Sequence, residues 1–541
     1  MLPSRIVRSA VLVVAASFVA APAAAQHDHA PAGRLGIVHF DTSCAPAVQP
    51  EFDRAVALLH SFWFSAAVES FSKVLKGDPR CAMAHWGIAM SWWGNPFGGF
   101  RPPSALAAGL AAIDAARTLG TGTAREQAYV RAAETLFRDH ATRDQRTRTV
   151  AYEQAMDALA AAHPGDAEAR IFYALALGQT APPTDKTYAN QLKAAAILEQ
   201  EFARQPDHPG LAHYIIHSFD VPPLAARGLD AARRYAAIAP DAAHALHMPS
   251  HTYTRVGLWQ ESIETNLASA AAARRDPGAA SEELHALDYQ IYAYLQTAQD
   301  AAAASVLPRV GPLAVQIPNA GAGNAAPPSA GYYAAAAIPA RYALERAAWT
   351  EAAALVPHRS PFGWADAVTH FARAIGAARA RQIGAARQDL VRLAALRDEV
   401  AAAKDAYWTE QIGIQRRAAE AWVLLADRRP AEALAALREA VHREDATEKS
   451  AVTPGPIKPA REMLGEMLLE LGRPAEALVE FEATLTREPN RFRALLGAVR
   501  AAAGAGAPAK AAVHRARLAA MTARADRPGR PELAEVRSTA P

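Results

Sequence analysis

Histidine is the residue type whose placement in this 541-residue chain suggests chemistry. Seven of the 18 histidines fall between His208 and His285, far more than even spreading would put there. The intervals from His213 to His247, from His217 to His251 and from His251 to His285 are each 34 residues. His213 and His217 are also one helical turn apart, the spacing at which a helix offers two ring nitrogens to one ion. Three kinds of chemistry suit such a ladder. The rings could bridge neighbouring helices as hydrogen-bonded core residues. They could line a recognition groove for an anionic or polar ligand. They could hold a transition metal, zinc or copper, through His213, His217, His247 and His251.

A 34-residue interval needs a repeated structural unit to carry it. Two near-copies reveal one: Arg429-Pro-Ala-Glu-Ala-Leu434 and Arg473-Pro-Ala-Glu-Ala-Leu478 each follow an apolar helical stretch and open a second helix after a short turn. An insertion around Thr453-Pro-Gly-Pro456 stretches their spacing to 44 residues. Alanine runs such as Ala301–Ala304 favour helix, and period-2 runs of β-branched residues are scarce. The expected fold is all-α, stacked helix–turn–helix units in two arrays.

The chain resembles the tetratricopeptide repeat family. Ala477, Phe481 and Pro489 match that family's small residue, large apolar residue and terminating proline, and Ala67, Phe71 and Pro79 match them near the other end. Leu464-Gly465 supplies its Leu-Gly pair, and Pro206 and Pro240 stand 34 residues apart. Cys81-Ala-Met-Ala-His-Trp-Gly-Ile-Ala-Met90, His213-Tyr-Ile-Ile-His217 and His247-Met-Pro-Ser-His251 resemble segments of a group of exported bacterial tetratricopeptide proteins. The resemblance of these units to tetratricopeptide repeats implies a right-handed superhelix and no activity.

Stacked units of this kind build a concave surface lined by the first helix of each unit. Starting a unit at Pro209 sends Ala212, Ile215, Ile216 and Phe219 to the partner helix. At ~100° per residue, His213 and His217 then lie on the concave side. The same phase places His244, His247, His251, Thr254 and Arg255 on that side of the next unit. It places His285, Asp288 and Tyr289 there on the third, with Asp220 beside His217. Pro249 must kink or start its helix, and Glu283 sits on the third helix's packing face.

The expected function is therefore a binding scaffold, its histidine-rich groove open to a peptide, protein or small polar ligand. The alternative is a metal-binding protein or metal-dependent enzyme. Peptide-binding members of the family place Lys, Arg and Asn where this chain has histidine, which argues against capture of a terminal carboxylate. His213-Tyr-Ile-Ile-His217 lacks the Glu of a zinc protease. Phosphate loops, nucleophile elbows, Cys-x-x-Cys pairs and dinucleotide fingerprints are missing too. Were there catalysis, His217, His251, Asp220 and Asp288 would be its candidates.

The formal net charge is +3 and the arginines are scattered, so no basic stripe points to nucleic acid. Arg5 and Arg8, the apolar stretch Val11–Ala20 and Ala23-Ala24-Ala25 form a secretory signal with cleavage before Gln26. No later segment is long and apolar enough to span a membrane. The mature chain is expected in the periplasm or outside the cell. Cys44 and Cys81 are its two cysteines, and an oxidising compartment favours a disulfide between them. Buried thiols, or Cys81 paired with His85 as metal ligands, are the other readings. The tail Gln26-His-Asp-His29 could bind copper weakly. The expected organisation is a signal peptide (1–25), a flexible segment (26–44), a first array (45–306), a Pro/Gly/Ala-rich linker (307–332), a second array (333–521) and a disordered tail (522–541).

Overall fold

The computed structural model describes residues 33–317 and 323–537. The expected signal peptide and the Gln26-His-Asp-His29 tail lie outside the described residues. Within them the chain is helical and contains no strand, and no helix is long and apolar enough to cross a membrane.

Consecutive helices pair as antiparallel hairpins, each packed on the next. The turns reuse one backbone conformation: Phe62, Ala298, Ala347, Arg381 and Arg428 all have φ between +55° and +64°. A single left-handed residue reverses the chain while leaving both flanking helices intact. The two near-copies form the same local structure. Pro430 and Pro474 each open a helix, where a missing N–H costs nothing. In both, the preceding arginine pairs with the glutamate three residues on, Arg429 Nε to Glu432 and Arg473 Nε to Glu476 at 2.6 Å. Ala433 and Ala477 are fully buried.

The repeat also explains its glycines. A Cβ on Gly87 would stand 2.2 Å from the Phe71 ring, and one on Gly497 2.3 Å from the Phe481 ring. A phenylalanine of one hairpin thus lies against the backbone of the next helix. The architecture is a tetratricopeptide-type array.

Three expectations about order are corrected. The expected linker contains a helix, Leu307–Ala314. Its Leu307, Val310 and Leu313 form a stripe packed on Leu284, Leu287 and Ile291, a helical spacing hidden by the surrounding Pro and Gly. The helices on either side, Ala280–Gln296 and Pro328–Glu345, pack directly together, so the two arrays are not held apart. The expected disordered tail is anchored through residue 537. Arg530 donates to Asp300, to the Leu295 carbonyl at 2.9 Å and to the Glu345 carbonyl, and Leu533 is buried. Its charges have partners far away in sequence, which composition cannot show. The expected flexible segment, from residue 33 onward, is packed as well. Leu35, Val38 and Phe40 are buried, Ile37 N–H bonds the Asp207 carbonyl at 2.9 Å, and Cys44 is joined to Cys81 in a disulfide.

The insertion between the two near-copies matters most for the site. Val452, Thr453, Pro454, Gly455 and Ile457 are buried, and this segment runs through the interior of the array. Arg341 holds it by donating to Thr453 Oγ1 and to the Gly455 and Pro456 carbonyls at 2.8–2.9 Å.

Candidate metal centre

Of the six histidines expected on the concave face, five are buried, at 0–6% exposure for His213, His244, His247, His251 and His285, and His217 is only partly exposed. Ala212, Ile215, Ile216 and Phe219 do pack on their partner helix. The opposite face, expected to line an open groove, is covered too. Phe62 packs on His213, His217 and His244, Phe97 stacks on His217 at 4.2 Å, and the insertion lies across His285 and Tyr289. A peptide groove lined by these rings is therefore not open. The expectation failed because the covering residues come from distant parts of the chain.

The six rings form two triads, His213–His217–His244 and His247–His251–His285. Within each, one ligand atom per residue lies within 4.8 Å of the others. The set expected for one ion, His213, His217, His247 and His251, is thus divided between two neighbouring sites. His217 and His251 rings are 5.9 Å apart, and His244 and His247 rings 6.0 Å. Pro249 does not turn His247 away. One short helix, Ala243–His247, ends there and Pro249–Val256 starts at once, with Met248 between them in helical conformation (φ −53°, ψ −36°).

The second triad fixes its own tautomers. His247 Nδ1 lies 2.7 Å from Asn266 Oδ1. Asn266 Nδ2 donates to the Ser262 carbonyl at 2.7 Å, so the amide cannot turn and its oxygen must accept from His247. His251 Nδ1 lies 2.9 Å from Asp220 Oδ2, and a carboxylate likewise accepts. Both histidines carry their proton on Nδ1, so both Nε2 atoms present lone pairs, and they face each other at 3.1 Å. A second proton would relieve this, but burial, with the neighbouring histidines, holds His247 well below the ordinary histidine range, and burial lowers His251 despite its bond to Asp220. Two converging lone pairs repel unless a cation sits between them. Two nitrogens roughly 2.0–2.1 Å from a tetrahedral ion stand roughly 3.3 Å apart, close to the observed separation. His285 has its Nδ1 buried without a partner.

The first triad is less constrained, because nothing fixes the proton of His244 on one nitrogen. His213 Nδ1 donates to the His60 carbonyl at 2.7 Å, leaving its Nε2 as a lone pair 3.1 Å from His244 Nε2. His217 Nε2 and His244 Nδ1 are buried without partners. Burial pushes His213 and His285 down to about 3, so the rings are neutral, the form that binds metal. A ring whose Nδ1–H is held by a carboxylate or carbonyl is the usual support for a metal ligand.

Asp220 and Arg255 were expected on the groove face. Asp220 supports His251 from behind, and Arg255 Nε donates to it at 2.8 Å. Burial raises the Asp220 carboxyl, but Lys449, Arg255 and His251 outweigh this and hold it well below the usual range. Asp288 is not beside the triads' donors but paired with Arg341 in the core. Lys449, whose Nζ is 2.7 Å from Asp220 Oδ2, was missed, since it lies in the insertion and no local pattern marks it. Tyr289 has its hydroxyl 3.3 Å from His251 Nε2 and donates to the Thr453 carbonyl.

A third cluster, His60–Glu168–His208, is different in kind. Glu168 accepts from His60 Nε2 at 3.0 Å and His208 Nε2 at 2.9 Å, and the Tyr214 hydroxyl meets His60 Nδ1 at 2.9 Å. Apart from His208 Nδ1, which is buried without a partner, its protons and lone pairs match without an ion. It sits under the first triad and fixes the His60 carbonyl. None of the three fell on the 34-residue ladder, so spacing could not find them.

No protein-family model matches the chain, and no curated protein does. Solved structures similar to it include a monomeric mutant of IFIT1 with Gppp-AAAA, at 10% identity and a TM-score of 0.35 over 88% of this chain and 96% of that one. The Cut9–Hcn1 hetero-tetramer of APC/C aligns at 10% identity and a TM-score of 0.29 over 91% and 95%. The P58(IPK) TPR domain aligns at 12% and 0.22 over 85% and 98%.

Proposed function

We propose that the protein is an exported metalloprotein whose helical array holds two transition-metal ions on the paired triads. The supporting observation is the contact between His247 Nε2 and His251 Nε2 at 3.1 Å, with both Nδ1 protons committed elsewhere. Three imidazoles per ion leave a coordination position free on each, as in sites that bind or transform a ligand. Export is inferred from the N-terminal signal pattern and fits the Cys44–Cys81 disulfide.

Metal analysis and calorimetry on the protein stripped of metal test this reading. Two equivalents of Cu or Zn are expected at micromolar affinity or better. His251→Ala should bind one equivalent fewer, and His251→Ala with His213→Ala should bind neither. Wild-type protein that takes up no metal, while these variants lose stability, would assign the ladder to core packing instead. Cell fractionation tests export.

A further inference from the structure

We propose that the centre selects monovalent copper over divalent ions, and that Lys449 sets this preference by its charge. The inference rests on the metal reading above and names the ion that the site takes.

Both triads consist of histidine alone, so every donor is neutral. The nearest carboxylate, Asp220, touches the back of His251 and is already matched. Its Oδ2 pairs with Lys449 at 2.7 Å and its Oδ1 with Arg255 at 2.8 Å. Those three groups leave one net positive charge beside the triads before any ion enters. The other charged groups close by are compensated. Asp288 is paired with Arg341, and Glu448 with Lys186, at 2.7 Å, and Arg487.

Lys449 is nearly fully buried, at 4% side-chain exposure. Its Nζ stands 2.7 Å from the same Asp220 oxygen that His251 Nδ1 meets at 2.9 Å, so its charge lies directly behind the second triad. That buried charge must repel a metal cation held there in proportion to the cation's own charge. Two divalent ions would bring four positive charges into this enclosure and two monovalent ions only two. Three imidazoles can hold Zn²⁺, but its double charge is then left uncompensated unless an anion such as hydroxide takes the fourth position, whereas Cu⁺ on the same donors brings a single charge. No thiolate is available to supply a negative donor, because both cysteines are in the disulfide. Lys449 arrives from the insertion of the second array, so metal choice depends on a residue 229 positions from Asp220.

The test is anaerobic titration of the full chain with Cu⁺ against a colorimetric chelator, and with Zn²⁺ in parallel. Wild-type protein should hold Cu⁺ at least a hundredfold more tightly than Zn²⁺. Because repulsion scales with ion charge, Lys449→Met should raise Zn²⁺ affinity about tenfold and Cu⁺ affinity only about threefold, half as much on a logarithmic scale. Lys449→Arg, which keeps the charge, should leave both nearly unchanged. Tighter wild-type binding of Zn²⁺ overturns the inference without need of any variant, and leaves the metal reading standing. Equal shifts for the two ions in Lys449→Met overturn the role of Lys449. Failure of both ions to bind wild-type protein removes the metal reading and this inference together.

Discussion

Arg341 and Asp288 form an ion pair in which both side chains are completely buried, with Nε 2.8 Å from Oδ1. Arg341 spends its other donors on Thr453, Gly455 and Pro456, so one side chain ties the helix Pro328–Glu345 to the helix Ala280–Gln296 and to the insertion that covers the histidines. Removing it would leave Asp288 charged, buried and alone. Arg341→Met should destabilise the protein by about 3–5 kcal/mol and speed proteolysis within residues 447–459. Chemical denaturation with limited proteolysis checks both, and an unchanged midpoint would contradict the anchoring role.

The Asp220 carboxylate fixes the proton of His251 on Nδ1. In Asp220→Asn the amide can turn its NH₂ toward that nitrogen, which moves the ring proton to Nε2, the metal-facing atom. Metal affinity at the second triad should drop about 10–100-fold, with the helical circular dichroism spectrum retained. Calorimetry of the variant reads the change, and affinity equal to wild type would show that the tautomer does not matter.

Glu282 titrates in the opposite sense to a paired carboxylate. Burial raises it to about 7, aided by the Asp276 charge, although the Ala326 N–H bonds its Oε1. The folded state therefore keeps its proton where the unfolded state, near 4.5, has lost it. Stability from this group is full below pH ~4.5 and falls by about 1.4 kcal/mol per unit as pH rises toward 7, then levels off. Glu282→Gln retains an oxygen for Ala326 and has no proton to lose. It should be more stable than wild type at pH 8 and show little advantage at pH 4.5. Melting curves across that range decide, and a pH-independent difference would refute the titration.

The Cys44–Cys81 disulfide closes a loop of 37 residues and fastens the irregular segment bearing Leu35, Val38 and Phe40 to the first hairpins. Loop entropy predicts a loss of about 4 kcal/mol for Cys44→Ser with Cys81→Ser. Urea denaturation of the double variant measures it. Loss below about 1 kcal/mol would mean that burial of those apolar residues holds the segment unaided.

The hairpin architecture was legible in the chain because its signals are local. Pro430 and Pro474 open helices, Phe71 and Phe481 seek a glycine on the next helix, and Ala433 and Ala477 leave room for close packing. The 34-residue ladder likewise placed His213, His217, His247, His251 and His285 on one side of successive helices, since a periodic sequence repeats its orientation in a periodic structure. What covers that side was a tertiary decision. Phe62 and Phe97 come from the first hairpins, and Lys449 and Thr453 from an insertion more than 150 residues beyond His285. Periodicity carries no information about such distant partners. The division into triads depended on them as well. His244, off the 34-residue register, joined His213 and His217. Which nitrogens face a metal was set by Asn266, Asp220 and the His60 carbonyl, whose hydrogen bonds exist only once separate helices are packed together.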